Sequence, residues 1–358
     1  MLAPARVGGA DINTDADGLA SDENPVGRID VPPDRSAIAE LPEDFGRRFL
    51  IFVDTEEEFD WSRPLRRENV PVEAMEGLPE AHRFFREAGA KPAYMVDYPI
   101  VDNDRSAAII ADMHARDGCE IGTQLHPWVN PPHDEVVTPH NSFTGNLPLA
   151  LQRAKLERLT ERIAERVGQR PVIYRAGRYG IGARSAELLE NAGYAIDSSV
   201  RALFDYSGEG GPDFSGFGIE PFWAGPRGSL LEMPLTATFI GPMRRNGGWL
   251  YRLGDVIPKW RSLLGRTHML QRVSLTPEDY PLDLALEAIR RLIEDGQQVF
   301  SLSYHSPSVV PGYTPYVRDG ADLAAFYRWW DGVFELFARH GVESARVADI
   351  VTAARAAR

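Results

Sequence analysis

From Phe49 onward, short apolar runs alternate with amphipathic stretches along the chain. The runs Phe49–Val53, Pro92–Val96, Glu120–Thr123, Val172–Tyr174, Tyr194–Ile196, Ser229–Met233 and Val299–Ser303 have the length and continuity of buried strands. Between them the apolar positions fall at helical spacing. Leu156, Leu159, Ile163 and Val167 share one stripe that Gly168 closes, and Leu282, Leu286, Ile289 and Ile293 share another that Gly296 closes. A third stripe, Leu323, Phe326, Trp330 and Phe337, ends near Gly341. Strand and helix in alternation with short links predict a parallel sheet joined by right-handed crossovers. About seven strands over some 300 residues point to a single β/α barrel, complete or incomplete. No GxGxxG phosphate loop follows the first strand, so an open dinucleotide-binding sheet is the weaker alternative.

Two regions break the rhythm. The first 45 residues are rich in Gly, Asp, Pro and Ala without a hydrophobic period, and are expected to be a disordered or loosely attached arm before a catalytic domain over 46–358. Residues 201–280 are rich in Gly, Pro and aromatics, and are expected to form an irregular insertion beside the site.

Composition narrows the function classes. A net charge of −13 disfavours nucleic-acid binding, which draws on released counterions and needs an excess of cations. The longest apolar run, Phe49–Val53, is far too short to cross a bilayer, so no membrane insertion is expected. The N-terminus has no apolar signal core, and the single cysteine, Cys119, fits a reducing compartment; a cytoplasmic location is expected. Only Lys91, Lys155 and Lys259 are lysines, and arginine carries the rest of the basic charge. Oligomeric state is left open.

The chemistry gathers after the strands. Asp54-Thr55-Glu56-Glu57-Glu58 follows the first, Asp97 the second, and Gln124-Leu125-His126-Pro127-Trp128 the third. Arg175-Ala176-Gly177-Arg178 follows the fourth, Asp197-Ser198-Ser199 the fifth, and His305-Ser306-Pro307-Ser308 the last. In a β/α barrel these strand ends converge on one face, where active sites sit. Crowded carboxylates repel, so one should hold a proton or a cation should bind. His305, directly after a buried strand, is the strongest candidate for proton transfer, because imidazole titrates near neutrality. Trp61, Trp128, Tyr179, Trp223 and Tyr313 flank these segments and could be core or could stack on sugar faces. His133 and His140 lie in a loop and are expected to be solvated.

Taken in order, FVDTEEEFDW, EIGTQLHPW, YRAGRYG, IDSSV and SLSYHSPSVVPGY resemble the five motifs of the polysaccharide deacetylases of the NodB-homology superfamily (carbohydrate esterase family four and relatives), over about Phe49 to Tyr316. HPWVNPP and HSPS are similar to the WalW-like branch. The resemblance implies a barrel of the polysaccharide deacetylase fold and a hydrolase that removes an N-acetyl or similar acyl group from a carbohydrate. It implies Asp54 as general base, His305 as general acid, and Arg175 and Asp197 as the residues that orient them. A divalent metal, zinc above all, would be held by Glu56, His126 and Asp54, and Trp128, Tyr179 and Tyr313 would bind substrate. Gln124 stands where the first of the family's two metal-binding histidines is expected, and His126 follows two residues later. Three alternatives stay open. These are a metal-independent amide or imide hydrolase of the same superfamily, a two-carboxylate glycosidase, and a sugar-binding relative without turnover.

Overall fold

The computed structural model describes residues 27–59, 63–257 and 259–358. Among these residues eleven strands run in chain order: β1 (Arg47–Thr55), β2 (Ala93–Val96), β3 (Glu120–Leu125), β4 (Ile173–Ala176), β5 (Ile196–Asp197), β6 (Phe222–Ala224), β7 (Leu230–Glu232), β8 (Ala237–Ile240), β9 (Gln271–Ser274), β10 (Val299–His305) and β11 (Val342–Ser344). The helices are α1 (Leu78–Glu87), α2 (Tyr98–Asp102), α3 (Asp104–Asp117), α4 (Leu149–Val167), α5 (Ser185–Asn191), α6 (Gly247–Val256), α7 (Trp260–Arg266), α8 (Leu282–Glu294), α9 (Gly320–Arg339) and α10 (Val347–Ala356).

The main sheet has the order β10-β1-β2-β3-β4-β5-β7-β6, with β11 paired to the start of β1. The seven strands from β10 to β7 are parallel, and β6 closes the edge as an antiparallel partner of β7. These seven are the strands that the apolar runs predict, and the sheet is a curled, incomplete barrel. β1 is buried from Phe49 to Thr55 because parallel strands are covered on both faces. Its outer face packs under helices such as α9, where the Phe49 and Phe337 rings stack at 4.9 Å. The predicted helix stops hold: Gly168 caps α4 at φ 82°, and Gly296 and Gly341 follow α8 and α9 at φ 89° and 64°.

The irregular region has a structural role that its composition does not announce. Beyond β6 and β7, which join the main sheet, it folds into the β8–β9 hairpin and the helices α6 and α7. The segment between β7 and β8 fills the gap in the barrel. Thr236 N–H donates to the Ser301 carbonyl at 3.0 Å, and Ser301 N–H donates to Thr236 Oγ1 at 2.9 Å. Ser303 N–H donates to the Leu275 carbonyl at 3.3 Å. So the supposed insertion closes the open side next to β10.

Residues 1–26, part of the expected arm, lie outside the described residues. Residues 27–45 are laid against the sheet edge, which differs from a loosely attached arm. Gly225 N–H donates to the Gly27 carbonyl at 2.7 Å, Ala39 N–H to the Pro221 carbonyl at 2.8 Å, and Ile38 bridges Phe222 of β6. Ile29 is fully buried in the main core. Two isoleucines nine residues apart in a polar stretch show no periodicity to betray them, yet Ile29 anchors the segment. Ile29→Ala should cost about 2–5 kcal/mol, the range for emptying a buried aliphatic site. An unchanged chemical-denaturation midpoint would show that the segment contributes nothing to stability.

Candidate functional site

The C-terminal ends of the parallel strands open into a cavity of about 530 Å³, lined among others by Asp54, Glu56, Gln124, His126, Arg175, Tyr179, Glu278 and His305. Strand register sets the first pair. Asp54 of β1 lies level with His305 of β10, and in parallel strands neighbours at one level point to the same face. His305 Nε2 stands 3.8 Å from Asp54 Oδ2 and 4.0 Å from Glu56 Oε1.

Each member of this pair is tethered from behind. Arg175 of β4, fully buried, donates from one guanidinium nitrogen to Asp54 Oδ1 at 2.7 Å and from another to Ser198 Oγ at 3.0 Å. Its guanidinium also lies 4.8 Å from the centre of the Phe52 ring. One oxygen of Asp54 is thus bound and the other faces His305. Glu278 holds the histidine. Its Oε2 is 2.7 Å from His305 Nδ1, and its Oε1 accepts from His305 N–H at 2.9 Å and from Ser308 Oγ at 2.6 Å. Burial alone would pull the imidazole down, but Glu278, then Glu56 and Asp54, outweigh it and raise His305 to about 10. Conversely, burial would raise Glu278, and His305 with its hydrogen bonds holds that carboxylate low.

Glu278 is absent from the sequence-derived set, which gives Asp197 the orienting role. Asp197 sits elsewhere. It is fully buried and level with Glu232 of β7; Ser199 Oγ donates to Asp197 Oδ1 at 2.5 Å and Val200 N–H donates to Glu232 Oε1 at 3.0 Å. Burial raises both carboxyls. The signal for Glu278 was its own short strand: Gln271–Ser274 followed by Leu275-Thr276-Pro277-Glu278 repeats the strand-then-acid pattern, inside a region whose glycines and prolines mask it.

Around His126 the acids sort into two layers. Below, Glu57 is fully buried; its Oε2 lies 2.8 Å from His126 Nδ1 and its Oε1 accepts from Trp128 Nε1 at 2.9 Å. The two rings stack, 4.4 Å between centroids. Trp128, expected to meet substrate, is 1% exposed and instead packs the histidine in place. Glu57 N–H in turn donates to Asp97 Oδ2 at 2.9 Å, and Asp97 Oδ1 accepts from Ile100 at the start of α2. Burial holds Asp97 well above the usual carboxylate range, and Glu57 beside it adds to this. Ligand atoms of Glu57, Asp97 and His126 lie within 4.8 Å of one another, close enough to hold an ion; they form the one such group of three among the described residues. Every carboxylate oxygen in it already accepts a hydrogen bond.

Above, facing the cavity, Gln124 Nε2 stands 2.9 Å from Glu56 Oε2 and 3.3 Å from His126 Nε2, and those two atoms are 3.5 Å apart. Gln124 Oε1 is buried without a partner. Burial lifts the Glu56 carboxyl to about 8, with His305 and His126 opposing the rise. Gly177 permits this packing, since a Cβ there would fall 2.1 Å from His126 Cδ2 and 2.6 Å from the Leu125 carbonyl oxygen.

Lys155 of α4 organises the loop after His126. Its ammonium is fully buried against the carbonyls of Pro127, Asn130 and Pro132 at 2.9, 2.6 and 2.6 Å, with Glu135 at 3.0 Å. A compact cation with three divergent donors suits three converging carbonyls better than a planar guanidinium would.

Of the other sequence candidates, Tyr179 lines the cavity. Tyr313 does not; its hydroxyl donates to Glu73 at 3.1 Å, and Tyr316 takes the place at the wall, stacked parallel to His305. His133 and His140 are exposed, and Asp60 and Trp61 lie outside the described residues. No helix among the described residues is long and apolar enough to cross a membrane.

No family model and no curated protein matches the chain. Solved structures do. A protein from Mycobacterium smegmatis described as a polysaccharide deacetylase is 17% identical, with 91% of this chain and 95% of that one covered at a TM-score of 0.51. A Pseudomonas aeruginosa PAO1 protein described in the same way is 16% identical over 87% and 91% of the two chains, at 0.50. The allantoinase Puue is 15% identical over 94% and 98%, also at 0.50. These likenesses reach the fold and not a branch within it. The curled sheet, the register that levels Asp54 with His305, and the structures it superposes on agree: this chain has the fold of the polysaccharide deacetylases.

Proposed function

We propose that the protein is a hydrolase that removes an acyl group, such as N-acetyl, from a carbohydrate. The observation that carries this reading is the Asp54–His305 pair, 3.8 Å apart across one cavity, each tethered by its own buried partner. Asp54 Oδ2, free of Arg175, takes a proton from the attacking water as its oxygen bonds to the acyl carbon. His305 carries protons on both nitrogens; its Nδ1–H stays in the hydrogen bond to Glu278, and the Nε2 proton passes to the leaving nitrogen as the carbon–nitrogen bond breaks. The proton on Asp54 then passes to His305, across the same 3.8 Å, and restores both.

The resemblance of the sequence motifs to the polysaccharide deacetylases implies a divalent ion, and the donor set supports one at the upper layer. Glu56 offers a carboxylate oxygen and His126 a bare Nε2, because Nδ1 is engaged by Glu57. Rotating the Gln124 amide would turn its unpartnered carbonyl toward both. Separations of 2.9–3.5 Å among the three suit ligands of one ion. Asp54, also expected as a ligand, belongs with Arg175 and would complete the set only in part. When bound, a divalent ion such as zinc would polarise the acyl carbonyl. A neutral amide is a weak zinc ligand, so Gln124→His should tighten binding by at least about tenfold, read by metal titration. Chelation should lower acetate release reversibly. Full activity in protein shown metal-free by elemental analysis would replace this with the metal-independent amide hydrolase, which Gln124 Nε2 favours by standing between Glu56 and His126 as a donor. A two-carboxylate glycosidase is less supported, since Glu278, the carboxylate beyond His305, has both oxygens engaged by His305 and Ser308. The direct test is acetate release from acetylated oligosaccharides.

A further inference from the structure

We infer that the cavity takes a carboxylate-bearing sugar, of the uronic-acid type, and reads its acid group with Arg178 and Arg201. This rests on the hydrolase reading only in that both use the same cavity. The first observation is backbone strain. Arg178 and Tyr179, between Gly177 and Gly180, sit consecutively at φ 53° and 60°. Glycine adopts that conformation freely, whereas in other residues the Cβ crowds the following carbonyl oxygen. A turn that keeps two costly side chains, both on the cavity wall, is using them there.

The second observation is how the two arginines are held. The Arg178 guanidinium lies 4.4 Å from the Phe143 ring centre, donates to Ser142 Oγ, and pairs with Glu209. The Arg201 guanidinium lies 3.9 Å from the Phe204 ring centre and 5.5 Å from that of Tyr179, donates to the Tyr206 hydroxyl at 3.2 Å, and pairs with Asp279 at 3.3 Å. Rings and hydroxyls set both guanidinium planes, so their orientation survives loss of the carboxylate. Those carboxylates are the replaceable partners. Side-chain exposure is 61% for Glu209 against 23% for Arg178, and 41% for Asp279 against 15% for Arg201. Exposed ion pairs are weak and exchange readily, and Glu209 sits on a short turn flanked by Gly208 and Gly210. Each protein carboxylate occupies the place of a ligand of its own chemistry.

The third observation is the distribution of charge. Asp54 and Glu278 hold the cations Arg175 and His305 at the reacting end of the cavity, so those two cations are already paired there. An acidic sugar is therefore oriented with its carboxylate at the arginines and its neutral acyl group at Asp54 and His305.

The test is binding to the full chain, followed by calorimetry, with methyl glucuronide and methyl glucoside, which differ in that one group. We expect the glucuronide to bind at least about tenfold tighter, with a preference that shrinks in salt. Arg178→Gln should cut the preference several-fold at unchanged melting temperature, and the double variant with Arg201→Gln should abolish it. Glu209→Gln, which removes the internal competitor, should tighten glucuronide binding a few-fold and leave glucoside unmoved. Equal affinities, no glucuronide binding at millimolar concentration, or a preference that survives in the double variant would overturn the inference. A clear preference without acetate release from any acetylated sugar would instead sink the hydrolase reading alone.

Discussion

Replacing His305 with alanine lowers turnover by about 10²–10⁴-fold, the usual contribution of a positioned acid or base. The same change should lower the melting temperature, because Glu278 is buried and His305 is its cation. Removing one partner of a buried ion pair costs about 3–5 kcal/mol at full burial, and less here, where the histidine side chain is 19% exposed. The two effects separate in the double variant His305→Ala with Glu278→Gln. The amide needs no cation, so stability should return while turnover stays low. If turnover returned with stability, His305 would be a structural residue and Asp54 would stand without its acid.

Asp54 should show the larger combined effect. Asp54→Ala removes the base and leaves the guanidinium of Arg175 buried with Ser198 as its remaining hydrogen-bond partner, so turnover is lost and about 3–5 kcal/mol of stability with it. Asp54→Asn keeps an oxygen for Arg175 and loses the proton acceptor. That variant should melt within a few degrees of the parent and still lose about 10²–10⁴-fold in turnover. The comparison uses thermal melts beside acetate release. Turnover retained by Asp54→Asn would remove the proposed base.

How much of this was legible follows from what periodicity encodes. Seven apolar runs predict seven of the eight parallel strands, and because strand ends converge in such a barrel, Asp54, Glu56, Gln124, His126, Arg175 and His305 could be gathered from the sequence alone. Short strands escaped. β11 is Val342–Ser344 and β6 is Phe222–Ala224, and three residues carry no period. Partner choice escaped too. Asp197 follows its strand as the family pattern asks, but it turns to Glu232, one strand away, and Glu278 reaches His305 from across the closing segment. Such pairings depend on which chain segment fills a gap, and local sequence does not record that. Trp128 shows the converse. An aromatic beside a site motif reads equally as a sugar platform or as packing, and only its position beneath His126 decides.

Lys155 has a practical corollary. The chain holds three lysines, and this one is sealed under the loop it organises, while Lys91 and Lys259 are exposed. Amine-reactive dyes or surface-coupling reagents applied to the folded protein should therefore mark Lys91 and Lys259 and spare Lys155. Sensor attachment or fluorescent tagging by that chemistry leaves the cavity at the strand ends untouched, and delayed reaction at Lys155, followed by mass spectrometry, reports how often the loop after His126 opens.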